Sequence, residues 1–294
     1  MTGAVLHHAT TIGVAMTAAV ERLTVAGVPE PRADTEVLLA HVLAASRAAV
    51  IARSRELLSP DAAACLEALV ARRVAREPLH YLLGEREFWS LPFTVDPRVL
   101  IPRPETELIV ETALAVAPAA RRVLDLGSGS GAIAAVLARA LRRAEVWASD
   151  VDRNALAVAR VNLARHAPRV ACVAGDAVAP FAADAFDLVV SNPPYVADAE
   201  LAGLEPEVRA HEPRRALAGG RDGLAIIRRL IGEVPRVLTA GGWLVMEVGA
   251  GQAAAVAALA AADGRWRSAR RVRDHGGVER VVALANGGDA WTRS

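Results

Sequence analysis

The stretch from Arg122 to Gly131 limits the fold of this chain more than any other. Val123-Leu124-Asp125-Leu126 is a short apolar run that passes directly into Gly127-Ser128-Gly129-Ser130-Gly131 and then into a helical pattern. A buried strand, a glycine turn and a helix in that order make the opening unit of a doubly wound α/β sheet, because glycines allow the sharp reversal and let a ligand approach the helix N-terminus. With Ala132 in the last slot, the loop also fits the relaxed G-x-G-x-x-A dinucleotide pattern. The glycines therefore do not separate a nicotinamide site from a nucleoside site.

The rest of the chain keeps the same rhythm. Apolar strands are expected at 122–126, 145–149, 169–174, 186–191, 243–248, 265–271 and 278–284, with helices at 131–142, 153–166, 222–238 and 251–262. The last two strands follow each other without a helix, so one of them should run antiparallel. Residues 10 to about 84 read as helical. Thr10 or Thr11 can cap a helix reaching Gly27, Pro31 starts another, and Ser59-Pro60-Asp61 starts a third that ends before Pro78. From Phe88 to Ile101, Phe93, Val95, Val99 and Ile101 alternate with polar or turn residues, which predicts a connecting β-hairpin.

Composition closes several classes. At 294 residues, 53% hydrophobic and 23% charged, the chain has a core to bury and is no disordered tail. Its longest apolar stretches, such as Ala253 to Ala262, are far short of the ~20 residues of a membrane span, and the start has no secretory pattern, so a cytoplasmic location and no membrane partner are expected. Cys65 and Cys172 are isolated and the seven histidines lack metal spacing, so neither a disulfide framework nor a metal is expected. All 34 basic residues are arginine, yet the net charge is +1, which argues against nucleic acid as the main partner. The pairs Arg142/Arg143, Arg214/Arg215, Arg228/Arg229 and Arg270/Arg271 read as solvated faces rather than a nucleic-acid path.

Chemistry is expected at the carboxyl ends of three further strands. Asp150, 23 positions after Gly127, is placed to accept hydrogen bonds from two ribose hydroxyls, while Asp152 reads as a helix N-cap. Gly175-Asp176-Ala177 offers Asp176 to an adenine or leaves it a plain loop carboxylate. Asp187-Leu188-Val189-Val190 ends in Ser191-Asn192-Pro193-Pro194-Tyr195, where two prolines forbid helix and hold the backbone extended. The Asn192 amide oxygen, the Pro193 carbonyl and the Tyr195 ring then present two acceptors and a stacking face to a planar group carrying –NH2. An amide nitrogen is a poor nucleophile until its lone pair leaves the π system, and acceptors that hold its N–H bonds favour that change. No general base accompanies Asn192, and none is needed if the acidic methylated nitrogen releases its proton to water.

Together, the glycine loop, Asp150 and Asn192-Pro193-Pro194-Tyr195 resemble an S-adenosylmethionine-dependent amino methyltransferase of the Rossmann-like class. The tetrapeptide is shared by DNA adenine-N6 and protein glutamine-N5 enzymes. Gly84-Glu85-Arg86-Glu87-Phe88, Leu91-Pro92-Phe93 and Leu100-Ile101-Pro102-Arg103-Pro104-Glu105-Thr106-Glu107 narrow the resemblance to the peptide chain release factor N5-glutamine methyltransferases, as do Glu212-Pro213, Gly219-Gly220, Asp222-Gly223-Leu224, Gly241-Gly242-Trp243, Glu247-Val248-Gly249 and Gln252. The resemblance implies a helical bundle of about five helices over 1–84 that recognises the substrate, a hairpin linker over 85–104, and over 105–294 a methyltransferase domain with a mostly parallel seven-stranded sheet. It implies methylation of the glutamine of a Gly-Gly-Gln motif in class 1 release factors. Carried over, Gly127, Ser128, Gly129, Ser130, Gly131, Asp150, Asp176, Ala177 and Asn192 contact S-adenosyl-L-methionine, and Asn192, Pro193, Pro194 and Tyr195 hold the glutamine. Ala177 stands where some members carry a bulky aromatic residue, and His275 has no assigned role. Arg103 and Glu105 read as a wall of the site rather than a mutual surface ion pair. Residues 1–84 carry eight arginines against eight acidic residues, a balance unlike a DNA-binding module.

Overall fold

The computed structural model describes residues 10–287, which divide into two compact units. The first holds everything described up to Gly84 together with residues 205–211; the second holds 85–204 and 212 onward.

In the first unit, helices α1 (Ile12–Val25), α2 (Pro31–Val42), α3 (Arg47–Ala52), α4 (Pro60–Val74) and α5 (Leu79–Leu83) enclose a core of Ile12, Leu23, Leu38, Leu39, Val50 and Val70. Caps fall where the sequence puts them: the Thr11 and Ser59 hydroxyls accept from the amides of Val14 and Ala62. Residues Pro206–His211, which form a short helix later in the chain, pack with this bundle through Glu207. Its carboxylate accepts from Arg73 at 2.9 Å and from Arg76 at 2.6 and 2.7 Å, while Arg73 also reaches Asp34 at 2.8 Å.

The second unit opens with a hairpin, β1 (Glu85–Phe88) and β2 (Leu91–Thr94), turned tightly at Trp89 and Ser90, both at positive φ. It is shorter and earlier than the 88–101 alternation suggests, because the turn uses neither Asn nor Gly and Asp96-Pro97 ends the extended run. The hairpin is packed rather than free. Phe88 and Phe93 are buried in the core, and the buried Asn162 side chain bonds both the Thr94 amide and the Thr94 carbonyl.

After α6 (Glu107–Val116), the domain alternates β3 (Arg122–Leu126), α7 (Ala132–Ala140), β4 (Glu145–Asp150), α8 (Arg153–His166), β5 (Ala171–Ala174) and β6 (Phe186–Ser191). The short helix α9 (Pro206–His211) is followed by α10 (Ala225–Glu233), β7 (Leu238–Glu247), α11 (Ala253–Asp263), β8 (Trp266–Arg273) and β9 (Glu279–Asn286). The seven strands lie in the order β5-β4-β3-β6-β7-β9-β8, with β9 alone running against the other six. That satisfies the expectation of one reversed strand at the end. β3, the first strand of this sheet, has β4 on one side and β6 on the other, so strand order reverses between β3 and β6. Such a switch point opens a crevice at the carboxyl ends of the strands, where ligands bind in open α/β sheets. No helix among the described residues is long and apolar enough to cross a membrane.

Candidate active site

A cavity of ≈350 Å3 lies at that crevice, within the size range of small-molecule sites. It is lined by Gly127 to Ser130 of the glycine loop but not by Gly131, and by Asp150, Gly175–Ala177 and Ser191–Pro194.

The three glycines of the loop do different work. Gly127, Gly129 and Gly131 have φ of +74°, +53° and +79°, a region that side chains rarely adopt. A Cβ on Gly127 or Gly129 would meet no protein atom within 4 Å, so these two keep open the space beside the cavity. A Cβ on Gly131 would lie 3.2 Å from the Ala159 Cβ, so this glycine allows α7 to approach α8. Nor are the loop amides all turned to a ligand. Gly127 and Ser128 donate to the Ser149 carbonyl and Gly129 donates to Asp150 Oδ2 at 3.0 Å.

Asp150 is thus first a brace for the loop. Its second oxygen accepts from the Asp152 amide at 2.8 Å, and burial pushes its carboxyl up against the two backbone hydrogen bonds. Each oxygen keeps a lone-pair direction and the side chain lines the cavity. Asp152 caps α8, accepting from the Asn154 amide. Asp176 sits at the cavity edge in an exposed ion pair with Arg229 at 2.7 Å, and Ala177 beside it holds a strained φ of +46°.

Asn192 leaves one end of its amide without a partner. Ser191 ties β6 to β3 by donating to the Leu126 carbonyl at 2.7 Å, which fixes where the next residue emerges. The Asn192 Nδ2 then donates to Thr106 Oγ1 at 3.1 Å, whereas Oδ1 is buried and has no hydrogen-bond partner. Pro193 and Pro194 line the same cavity. Tyr195 does not: its hydroxyl donates to Glu247 Oε1 at 3.0 Å and its ring packs against the β6–β7 side of the core. Burial and the neighbouring Glu247 charge both push its phenol upward, so it stays protonated.

The backbone after the tetrapeptide is clamped. Gln252 donates to the Tyr195 carbonyl at 3.0 Å, and Val196 exchanges backbone bonds with Leu217 and Gly219. A Cβ on Gly223 would come within 2.3 Å of the Tyr195 carbonyl oxygen, and one on Gly219 within 2.8 Å of the Tyr195 Cα. Gly219, Gly223 and Gln252 therefore stand where they do because the tetrapeptide backbone passes against them.

Thr106 and Glu247 are missing from the residues expected on chemical grounds. Both are buried, and Thr106 Oγ1 donates to Glu247 Oε2 at 2.7 Å. Arg103 is half-buried and pairs with the buried Glu212 rather than with Glu105; Glu212 Oε2 also accepts from the Ile101 amide. Of the doubled arginines, Arg228 is engaged with Asp222, Arg271 with Glu279, and Arg270 lies over the Trp243 ring at 5.1 Å.

A mostly parallel seven-stranded sheet with one reversed strand, a glycine loop after its first strand and a rigid acceptor loop across the switch point define a Rossmann-like methyltransferase. A methyltransferase from Pyrococcus furiosus has this fold, with a TM-score of 0.52 at 18% identity over 74% of this chain and 98% of that one. Residues 15–84 match the PrmC N-terminal domain and 104–205 the methyltransferase small domain. A release factor glutamine methyltransferase of Geobacter sulfurreducens is 44% identical over 87% of this chain and 90% of its own length. One from Bordetella pertussis is 47% identical over 85% and 93%. The chain belongs to the release factor glutamine methyltransferase family.

The cofactor of this family is S-adenosylmethionine, and the residues present fit it. The cavity is large enough, Gly127 and Gly129 leave its edge free of side chains, and Asp150 offers acceptors to ribose hydroxyls.

Proposed function

We propose that this chain transfers the methyl group of S-adenosyl-L-methionine to the side-chain nitrogen, N5, of the glutamine in the Gly-Gly-Gln motif of class 1 peptide chain release factors, acting in the cytoplasm. The observation that carries the reading is the buried, unpartnered Oδ1 of Asn192, a residue that lines the cavity. An acceptor left alone in a buried site is costly, at about 1 to 3 kcal/mol, unless a donor arrives to meet it. A carboxamide –NH2 is such a donor.

In this reading Gly127 to Gly131, Asp150, Asp176 and Ala177 hold the cofactor, which supplies an electrophilic methyl group on a sulfonium centre when bound. Asn192 Oδ1 and the Pro193 carbonyl accept the two amide N–H bonds of glutamine. Held so, the nitrogen presents its lone pair rather than its hydrogens, and the acceptors strengthen their hold as the nitrogen gains positive charge. Pro193 and Pro194 keep both acceptors in place without reorganisation. Tyr195 supports the loop through Glu247 rather than by stacking. Glu247 does not line the cavity and already accepts from Thr106 and Tyr195, so the proton of the methylated nitrogen leaves through solvent.

The test is transfer from labelled S-adenosylmethionine to a purified class 1 release factor and to double-stranded DNA at physiological salt, with the label mapped by mass spectrometry. The expected result is one methyl on the Gly-Gly-Gln glutamine and none on DNA. Label on DNA adenine, or on another residue of the factor, would overturn the reading.

A further inference from the structure

The Asn192 amide has a direction that Asn192 itself cannot set. The oxygen and nitrogen of a carboxamide are nearly the same size, so a half-turn of the group exchanges an acceptor for a donor at almost no steric cost. What fixes the direction is the partner of the other end. Here that partner is the Thr106 hydroxyl, 3.1 Å from Nδ2. A hydroxyl can donate or accept, so Thr106 alone decides nothing. Its one proton, however, goes to Glu247 Oε2 at 2.7 Å; burial pushes the Glu247 carboxyl up, and the hydrogen bonds from Thr106 and Tyr195 pull the other way and hold it as an acceptor. The lone pairs of Thr106 are then all that Asn192 meets, and Asn192 must answer with N–H. Glu247 is itself held in place, because its other oxygen accepts from the Tyr195 hydroxyl at 3.0 Å and the residue is 2% exposed. The far end of this chain of bonds is Oδ1, buried without a partner on a residue that lines the cavity.

We propose that Thr106 and Glu247 are positioning residues that fix the polarity of the Asn192 amide, and that through it they make the site select a primary carboxamide over the carboxylate of the same shape. The inference rests on the reading of Asn192 as the acceptor for the substrate amide. With the amide fixed, glutamine brings N–H to an acceptor, whereas glutamate brings an oxygen to an oxygen. Were the amide reversed, Nδ2 would face the cavity and favour the carboxylate. That reversed state sets the Asn192 oxygen against a Thr106 oxygen whose proton is already committed, and so it is disfavoured in the native chain.

Two short peptides that differ only in ending the motif as Gly-Gly-Gln or Gly-Gly-Glu read this polarity. The glutamate peptide is used as an inhibitor of methyl transfer to the glutamine peptide, and the preference is the ratio of its inhibition constant to the KM of the glutamine peptide. The native chain should prefer glutamine by roughly 10- to 100-fold, the effect of one matched against one mismatched hydrogen bond. Thr106→Val keeps the shape but removes the hydroxyl, and should narrow the preference by about tenfold while S-adenosylhomocysteine affinity is unchanged. Glu247→Gln, whose amide can also donate to Thr106, should narrow it in the same direction. Thr106→Ser should retain the native preference. A merely structural role would weaken both peptides together and leave the ratio alone. If Asn192→Ala abolishes the preference and neither Thr106→Val nor Glu247→Gln moves it, the positioning role is wrong and the Asn192 reading stands. If Asn192→Ala leaves the preference intact, the reading of the site falls and this inference with it.

Discussion

Burial holds the Asp125 carboxyl at about 7, although the Ala134 amide donates to its Oδ2, and the nearby Asp150 charge pushes the same way as burial. The sign of the consequence follows from the ordinary value of 3.8. Because the folded state keeps the proton longer than the unfolded chain, the stability tied to this group is present in full below 3.8 and is lost as pH rises through about 7. The slope is about 1.4 kcal/mol per pH unit for one group. Asp125→Asn keeps an acceptor for the Ala134 amide and cannot ionise, so urea titrations from pH 5 to 7 should show the native chain losing about 2 kcal/mol relative to the variant. Parallel curves would show that Asp125 is not titrating in this range. At this scale the sequence was uneven in what it disclosed. Asp150 and Asn192 were legible because each closes an apolar strand at a position that faces the crevice. Thr106 and Glu247 were legible only as parts of a family motif, since what joins them is a hydrogen bond between residues 141 positions apart.

Elements were legible where their pattern was long and continuous. β3 and β6 begin and end at the expected residues because each is an apolar run bounded by turn residues. α3 and α5, with six and five residues, are too short to show a helical period. β7 starts at Leu238, five positions before Trp243, because Gly241 and Gly242 interrupt the pattern of a strand that nevertheless continues through them. The clamp on the tetrapeptide was likewise hidden, since nothing local relates Gly223 to Tyr195. Gly223 has φ of +74°, and a Cβ there would lie 2.3 Å from the Tyr195 oxygen and 2.6 Å from Gln252 Nε2. Gly223→Ala should therefore displace the loop that carries Asn192 while leaving the glycine loop untouched. The expected outcome is a loss of about tenfold or more in kcat, about 1.4 kcal/mol or more in the barrier, with S-adenosylhomocysteine affinity within about threefold of native. Equal losses in both would point to general unfolding instead.

At the scale of the whole molecule, a boundary after Gly84 is easy to read, but no linear reading shows that residues 205–211 pack with the first unit. The bonds that hold them there join Glu207 to arginines more than 130 positions earlier. Against the cost of burial, the Arg76 hydrogen bonds pull the Glu207 carboxyl down to about 2. Glu207→Ala leaves Arg76 without its carboxylate and Arg73 with only Asp34 and the Glu77 carbonyl, and should cost about 1 to 3 kcal/mol of stability at neutral pH. A depressed carboxyl contributes its stability above the ordinary 4.5 and loses it as pH falls through about 2, so the two proteins should converge in acid in denaturant titrations. For the reaction as a whole, everything turns on whether the orphaned Asn192 oxygen holds the reacting amide. Single-turnover methyl transfer by Asn192→Ala to a folded release factor, with S-adenosylhomocysteine binding measured calorimetrically in parallel, tests this most directly. The variant should transfer methyl more slowly by a factor on the order of 10² to 10³ with cofactor affinity little changed, as expected for losing one preorganised hydrogen-bonding group. Transfer at the native rate by a folded variant would contradict it.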